Sequence, residues 1–237
     1  MPRSFQKPLP PVAPGESAVN AVPPAIALLA LALGAVEGAL SLADAGRLGG
    51  AAGIGWRSAL VSRVMVTGQV WDLIGQRGLS DAGMLLRLVA YPVVHAGAVH
   101  ALFACAMLLA LGKFVAEAMG AARTLLVLLA ATAGGGAAYG ALLHGDYPLF
   151  GAFPAIYGLI GAYTYLAWVR LGRTGGNRLG AFRLIGVLLA LQLAFGALFG
   201  ANPVWVAEVA GFLAGGLAAA LLAPGSLRAL RARLQAR

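Results

Sequence analysis

Gly151-Ala152-Phe153-Pro154-Ala155-Ile156-Tyr157-Gly158-Leu159-Ile160-Gly161 opens an apolar run that continues to Val169. Small residues stand at 151, 152, 155, 158 and 161. On a membrane helix, such residues let neighbouring backbones approach closely. Tyr157 lies among them, with a hydroxyl that needs a partner in an apolar setting. The stretch predicts a tightly packed central helix, with or without a site at its head.

The rest of the chain supports a membrane setting. Of its 237 residues, 60% are hydrophobic and 11% charged, and the mean hydropathy is +0.85. Soluble domains carry about 25% charged residues. Most of the length must therefore lie in lipid. The single Cys105 excludes an internal disulfide and leaves the redox compartment unread. The net charge of +9 comes mostly from Arg placed between apolar runs, as membrane orientation requires, which argues against nucleic acid as a partner.

Residues 1–22 are Pro-rich and predict a disordered cytoplasmic tail. No clear cleavage site follows, so the next run is expected to be retained. That run, Ala25–Leu42, is the first span, and Glu37 within it is expected to reach the interface near its end. Residues 43–94 mix Gly, Arg and Trp with short apolar stretches and predict a long interfacial loop, in which Ser58–Ile74 reads as one amphipathic helix. The further spans are Val99–Met119, Leu125–Leu143, Gly151–Val169, Leu184–Phe199 and Val204–Leu222. The pairs Gly136/Gly140, Gly196/Gly200 and Gly211/Gly215 have helical spacing and predict close helix contacts. The connection 144–150 is short and makes spans three and four antiparallel neighbours.

The expected fold is thus an all-α polytopic bundle of six helices, with a transmembrane domain over 23–225. Six spans put both termini on one side, which receives twelve Lys and Arg against five on the other. That asymmetry predicts cytoplasmic termini. The tail at 226–237 reads as a basic segment for anionic lipid.

Polar groups in the bundle are few. His95, His100, His144, Asp146, Tyr157 and Glu208 all fall in the outer half of this topology. Three readings compete. His95, His100, His144 and Glu208 could form a metal site, although His95 and His100 converge only if a helix begins between them. Cys105, Thr132 or Thr164 could serve as a nucleophile, though Thr without an N-terminal amine is poor at it. The third reading is a structural polar network with no chemistry.

The chain also resembles the rhomboid intramembrane serine proteases. The resemblance rests on Leu86-Arg87, His95 and His100, Leu111-Gly112 and Gly120. It continues with Gly151, Tyr157-Gly158 and Gly161, then Gly211 and Gly215, in that order. It covers about residues 84–225 and implies a six-helix core. It also implies a protease chemistry whose groups are missing here. The family's Ser nucleophile falls on Phe153, and the Gly after it on Pro154, which has no N–H to donate. Its general base falls on Glu208, and its polar Asn on Ala104. His95 matches a structural His and His100 one near the oxyanion. The family's Glu near the end of span two falls on Ala116, beside Glu117. Gly151, Pro154, Tyr157 and Gly211 would line the site.

Serine catalysis needs nucleophile and base together. The resemblance therefore implies a pseudoprotease without catalytic residues, metal or cofactor, whose partners are transmembrane segments of client proteins. An active peptidase with another nucleophile, Cys105 or Thr164, is the alternative. A bacterial inner membrane is the expected location. Tyr157 and Glu208 are expected to face each other and share a hydrogen bond.

Overall fold

A computed structural model describes residues 21–77, 82–200 and 202–224. The tails expected at 1–22 and 226–237 therefore lie outside the described residues, apart from Ala21 and Val22. The first span is helix α1 (Pro24–Asp44), opened by a Pro in its first turn, where a missing N–H costs no hydrogen bond. Helices α2 (Gly50–Gly53), α3 (Trp56–Val64), α4 (Gly68–Arg77) and α5 (Ala82–Ala90) follow, and a short 3-10 turn over Tyr91–Val93 leads into α6 (Ala98–Met119). Helices α7 (Ala121–Leu142), α8 (Phe153–Arg173), α9 (Arg183–Phe199) and α10 (Trp205–Leu222) complete the chain, with a second 3-10 turn at Arg178–Phe182 before α9.

Five segments among the described residues are long and apolar enough to cross a membrane: α1, α6, α7, α10 and the stretch Arg178–Leu198, which holds α9 up to its last residue but one. Their outward faces carry exposed Leu31, Leu102, Phe103, Leu129, Leu193, Leu198, Leu213 and Leu217, as a lipid-facing surface requires. The fourth expected span, α8, is as long at 21 residues but is not among the five. Pro154, Tyr157, Gly158, Gly161 and Thr164 dilute its apolar character, and it has no need of a lipid face. Every residue from Pro154 to Ala162 is buried. α8 is the core that α6, α7 and α10 enclose.

Small residues allow that enclosure. A Cβ on Gly211 of α10 would collide with the backbone of Pro154, and one on Gly215 with that of Gly158. A Cβ on Gly161 would strike the carbonyl of Phe212, and one on Gly158 would strike Ala131 of α7. Backbones this close gain dispersion contact that larger side chains would prevent. Gly136 and Gly140 also sit in close contacts, but against Tyr91, Leu88 and Trp71 of the long connection and not against another span. Gly200 meets nothing within 4 Å, so the Gly196/Gly200 pair does not mark a tight interface there.

The connection between α1 and α6 is more ordered than a loop, and its amphipathic segment is not continuous. The expected helix over Ser58–Ile74 breaks between α3 and α4, where Val66 forms an isolated antiparallel bridge with Leu149. Val66 donates to Leu149 at 3.1 Å and receives from it at 2.9 Å. Extended, β-branched Val66 gains two backbone hydrogen bonds and full burial there, which outweigh helical continuation. The bridge ties the connection to the segment leading into α8.

Glu37 corrects a second expectation. Its carboxylate packs against protein and not water. It is 5% exposed and accepts from both terminal nitrogens of Arg57, at 2.8 and 2.9 Å. Ser41 donates to the same carboxylate at 2.8 Å. Arg57 also donates to Asp44 at 2.7 Å and to the carbonyl of His95 at 2.7 Å. Its planar fork thus joins α1, α3 and the segment before α6. The carboxylates beside it, Glu37 foremost, raise the Arg57 pKa further and hold the guanidinium charged.

Candidate functional site

The head of α8 is built by a turn that needs glycine. Gly151 has φ +99, a left-handed conformation that side chains rarely adopt. Its N–H donates to the carbonyl of Tyr91 at 2.9 Å, and a Cβ there would press on the His100 ring. The chain then enters the helix at Phe153-Pro154, with Pro154 in the first turn, where its absent N–H breaks no helical bond.

α6 begins at Ala98, between the two histidines. That start is the condition for them to converge, and they do. The His95 and His100 rings meet edge to face with centroids 5.3 Å apart. His100 then stacks on Phe153 at 4.9 Å with 5° between planes. The Ala96 N–H donates to His100 Nδ1 at 3.2 Å. His95 is fully buried, and neither ring nitrogen has a hydrogen-bond partner among the described residues. Burial, helped by the neighbouring His100 and Arg57 and opposed by Glu37, pushes the His95 pKa down to about 4. Its ring is therefore neutral at neutral pH. Ala104, one turn further along α6, is fully buried.

Glu208 lies in the first turn of α10, 8% exposed, where the helix dipole favours an acid. Its hydrogen-bond partner corrects the expected pairing. The Gln192 amide of α9 donates to Glu208, and Tyr157 does not. Tyr157 is buried among Ile160, Ile185, Phe212 and Leu188, still close enough to Glu208 to interact with it electrostatically. Sequence patterning alone does not single out Gln192, although it is the one polar side chain between Leu184 and Phe199. His144 and Asp146 are exposed in the connection between α7 and α8 and do not join this group.

Between these elements lies a cavity of about 980 Å³. His100 and Phe153 form one wall, Leu189, Gln192 and Gly196 of α9 another, and Trp205, Glu208 and Val209 of α10 a third. Tyr147, Pro148 and Phe150 cover it from the preceding connection. The lining is mostly apolar, with Glu208 and Gln192 as a polar pair. α9 is the least enclosed of the long helices, and its contacts run mainly to the turn before it and to α8. The alternative nucleophiles lie elsewhere. Cys105 donates to the Ala30 carbonyl at 3.5 Å on the α1 side of α6, and buried Thr164 donates to the Ile160 carbonyl at 2.8 Å. The Thr132 hydroxyl likewise donates within its own helix, to Leu128 at 2.8 Å.

A search of curated proteins finds no match to the chain. Among protein-family models, the Rhomboid domain matches residues 82–225. That match covers more than half of the chain, including α6 to α10 and the whole cavity. With its long apolar helices wrapped around α8, the protein is a multi-pass membrane protein that belongs to the rhomboid family.

Proposed function

We propose that this protein is a rhomboid pseudoprotease that holds transmembrane helices of client proteins without cleaving them. The observation that carries the reading is the head of α8. An attack on a peptide carbonyl needs a hydroxyl or thiol with a base in reach. Phe153 and Pro154 occupy the positions that family resemblance gives to the nucleophile turn, and Phe153 is stacked on His100. The position given to the base is Glu208, whose carboxyl is engaged by Gln192. Ala104 offers no donor for an oxyanion. Loss of nucleophile and base together removes catalysis as a unit.

The cavity supports the binding half of the reading. Its lining is mostly apolar and the wall formed by α9 is weakly packed, which suits sideways entry of a helix from lipid. In this reading both termini are cytoplasmic, and the basic segment at 226–237 meets anionic lipid.

An active peptidase with another nucleophile has less support. Cys105 and Thr164 are outside the cavity lining and donate to the Ala30 and Ile160 carbonyls. The two readings separate on purified protein in lipid nanodiscs. The pseudoprotease leaves transmembrane reporter peptides intact, takes no fluorophosphonate label, and crosslinks client helices through a photoreactive residue at Trp205. Cleavage that is lost in Glu208→Ala would overturn it, and so would the absence of any crosslinked helix.

A further inference from the structure

We infer that the cavity selects transmembrane helices that carry a cationic side chain, Lys or Arg, at the depth of Glu208. This inference rests on the client-binding reading above and names the chemistry of its client. Donors and acceptors are out of balance at Glu208 and Gln192. Glu208 offers two carboxyl oxygens, one of which accepts from Gln192 Nε2. The carbonyl oxygen of that same amide, Gln192 Oε1, is buried with no donor among the described residues. A carboxylate is acceptor-only, and an amide has a single acceptor oxygen. Glu208 lines this mostly apolar cavity with its second carboxyl oxygen uncommitted, and an adjoining cation would hold that carboxyl ionised.

The complement is a group with donors, no acceptors and a positive charge. Lys and Arg are the side chains that fit. Such a residue is costly in a lone membrane helix, and it gains most where it meets an acid away from water. Trp205 also lines the cavity beside Glu208 and is half exposed, at 48%. An indole face beside a carboxyl suits a cation further. His100, across the cavity, contributes no competing positive charge through Nδ1, which accepts from Ala96. Glu208 is in the first turn of α10, so the matching cation lies about one turn, roughly 5 Å, inside the membrane from that end.

The test uses the full chain in nanodiscs with a photoreactive residue at Trp205. The probes are three synthetic Leu/Ala transmembrane helices with Lys, Leu or Glu one turn from the corresponding end. The expected result is a crosslink yield for the Lys helix about tenfold above the Leu and Glu helices. Glu208→Gln, which keeps the shape and the amide contact, should bring the Lys-to-Leu ratio to within about twofold of one. Its folding is checked by its melting temperature. Equal capture of the Lys and Leu helices by the unmodified chain would overturn this inference alone, as would a preference that survives Glu208→Gln. Capture of no helix at all would overturn the client-binding reading beneath it.

Discussion

The Phe153 ring lies flat against the His100 imidazole, with 4.9 Å between centroids. The stack seals the head of α8 from one side, while Gly151 holds the His100 ring close beneath its backbone. Phe153 is only half buried, so Phe153→Ala should cost about 2 kcal/mol, below the range for a fully buried Phe. Thermal unfolding in detergent reads this directly. Phe153→Ser should restore no activity, because a hydroxyl without a base is a poor nucleophile. Absence of fluorophosphonate labelling in that variant checks the second half.

Arg57 is the only described partner that neutralises buried Glu37, and its removal strands a charge. Arg57→Ala should destabilise by about 3–5 kcal/mol. Replacing both, with Glu37→Leu and Arg57→Met, should cost much less, since no uncompensated charge remains. A double-mutant cycle on denaturant unfolding gives the coupling. Asp44 is exposed and adds little to it.

His95 makes stability depend on pH. Its folded pKa of about 4 lies below the ordinary value of 6.5 for histidine, so the unfolded chain binds the proton first. Stability is therefore full above about pH 6.5 and falls as the pH drops toward 4, by roughly 3 kcal/mol at most. His100, Glu37 and Arg57 are the groups that act on it electrostatically. His95→Phe should flatten the melting-temperature profile between pH 7 and pH 5. A profile as steep as that of the unmodified chain would contradict the assignment to His95.

The glycines of α8 and α10 differ sharply from those facing lipid. Gly215→Leu drives a side chain into the backbone at Gly158 and should destabilise by about 3 kcal/mol or abolish assembly. A Cβ added to Gly34 of α1 would meet nothing within 4 Å. Gly34→Ala should be neutral or stabilising by about 0.5–1 kcal/mol, since Gly weakens a helix interior. Comparing the two melting temperatures separates packing from propensity.

The Gln192–Glu208 bond predicts a contrast that the expected Tyr157–Glu208 pairing does not. Gln192→Leu leaves a buried carboxyl without its donor and should cost about 1–3 kcal/mol. Tyr157→Phe should stay within about 0.5 kcal/mol of the unmodified chain. Melting temperatures of both variants decide between the pairings.

The long apolar runs made the helices legible in the sequence, because lipid leaves the backbone few alternatives. The small residues of α8 mark it as the central helix. Its weak apolar character was visible too, but only packing shows that it has no lipid face to supply. Contacts between distant segments were the illegible part. No local pattern reveals that Val66 pairs with Leu149, which breaks the expected amphipathic helix, or that Arg57 reaches back to Glu37. The convergence of His95 and His100 hinged on a helix start at Ala98, and Gly97 just before it was a weak hint. Resemblance to the rhomboid motifs marks Phe153 and Glu208, whereas Gln192 needed the geometry of α9 against α10.

The most direct measurement reconstitutes the unmodified chain with one transmembrane reporter peptide and a photoreactive residue at Trp205. Mass spectrometry then reads the reporter after crosslinking. The account predicts full-length reporter joined to the protein, with no fragment cut within the membrane. Reporter fragments that accumulate with time, and that vanish in Glu208→Ala, would contradict it.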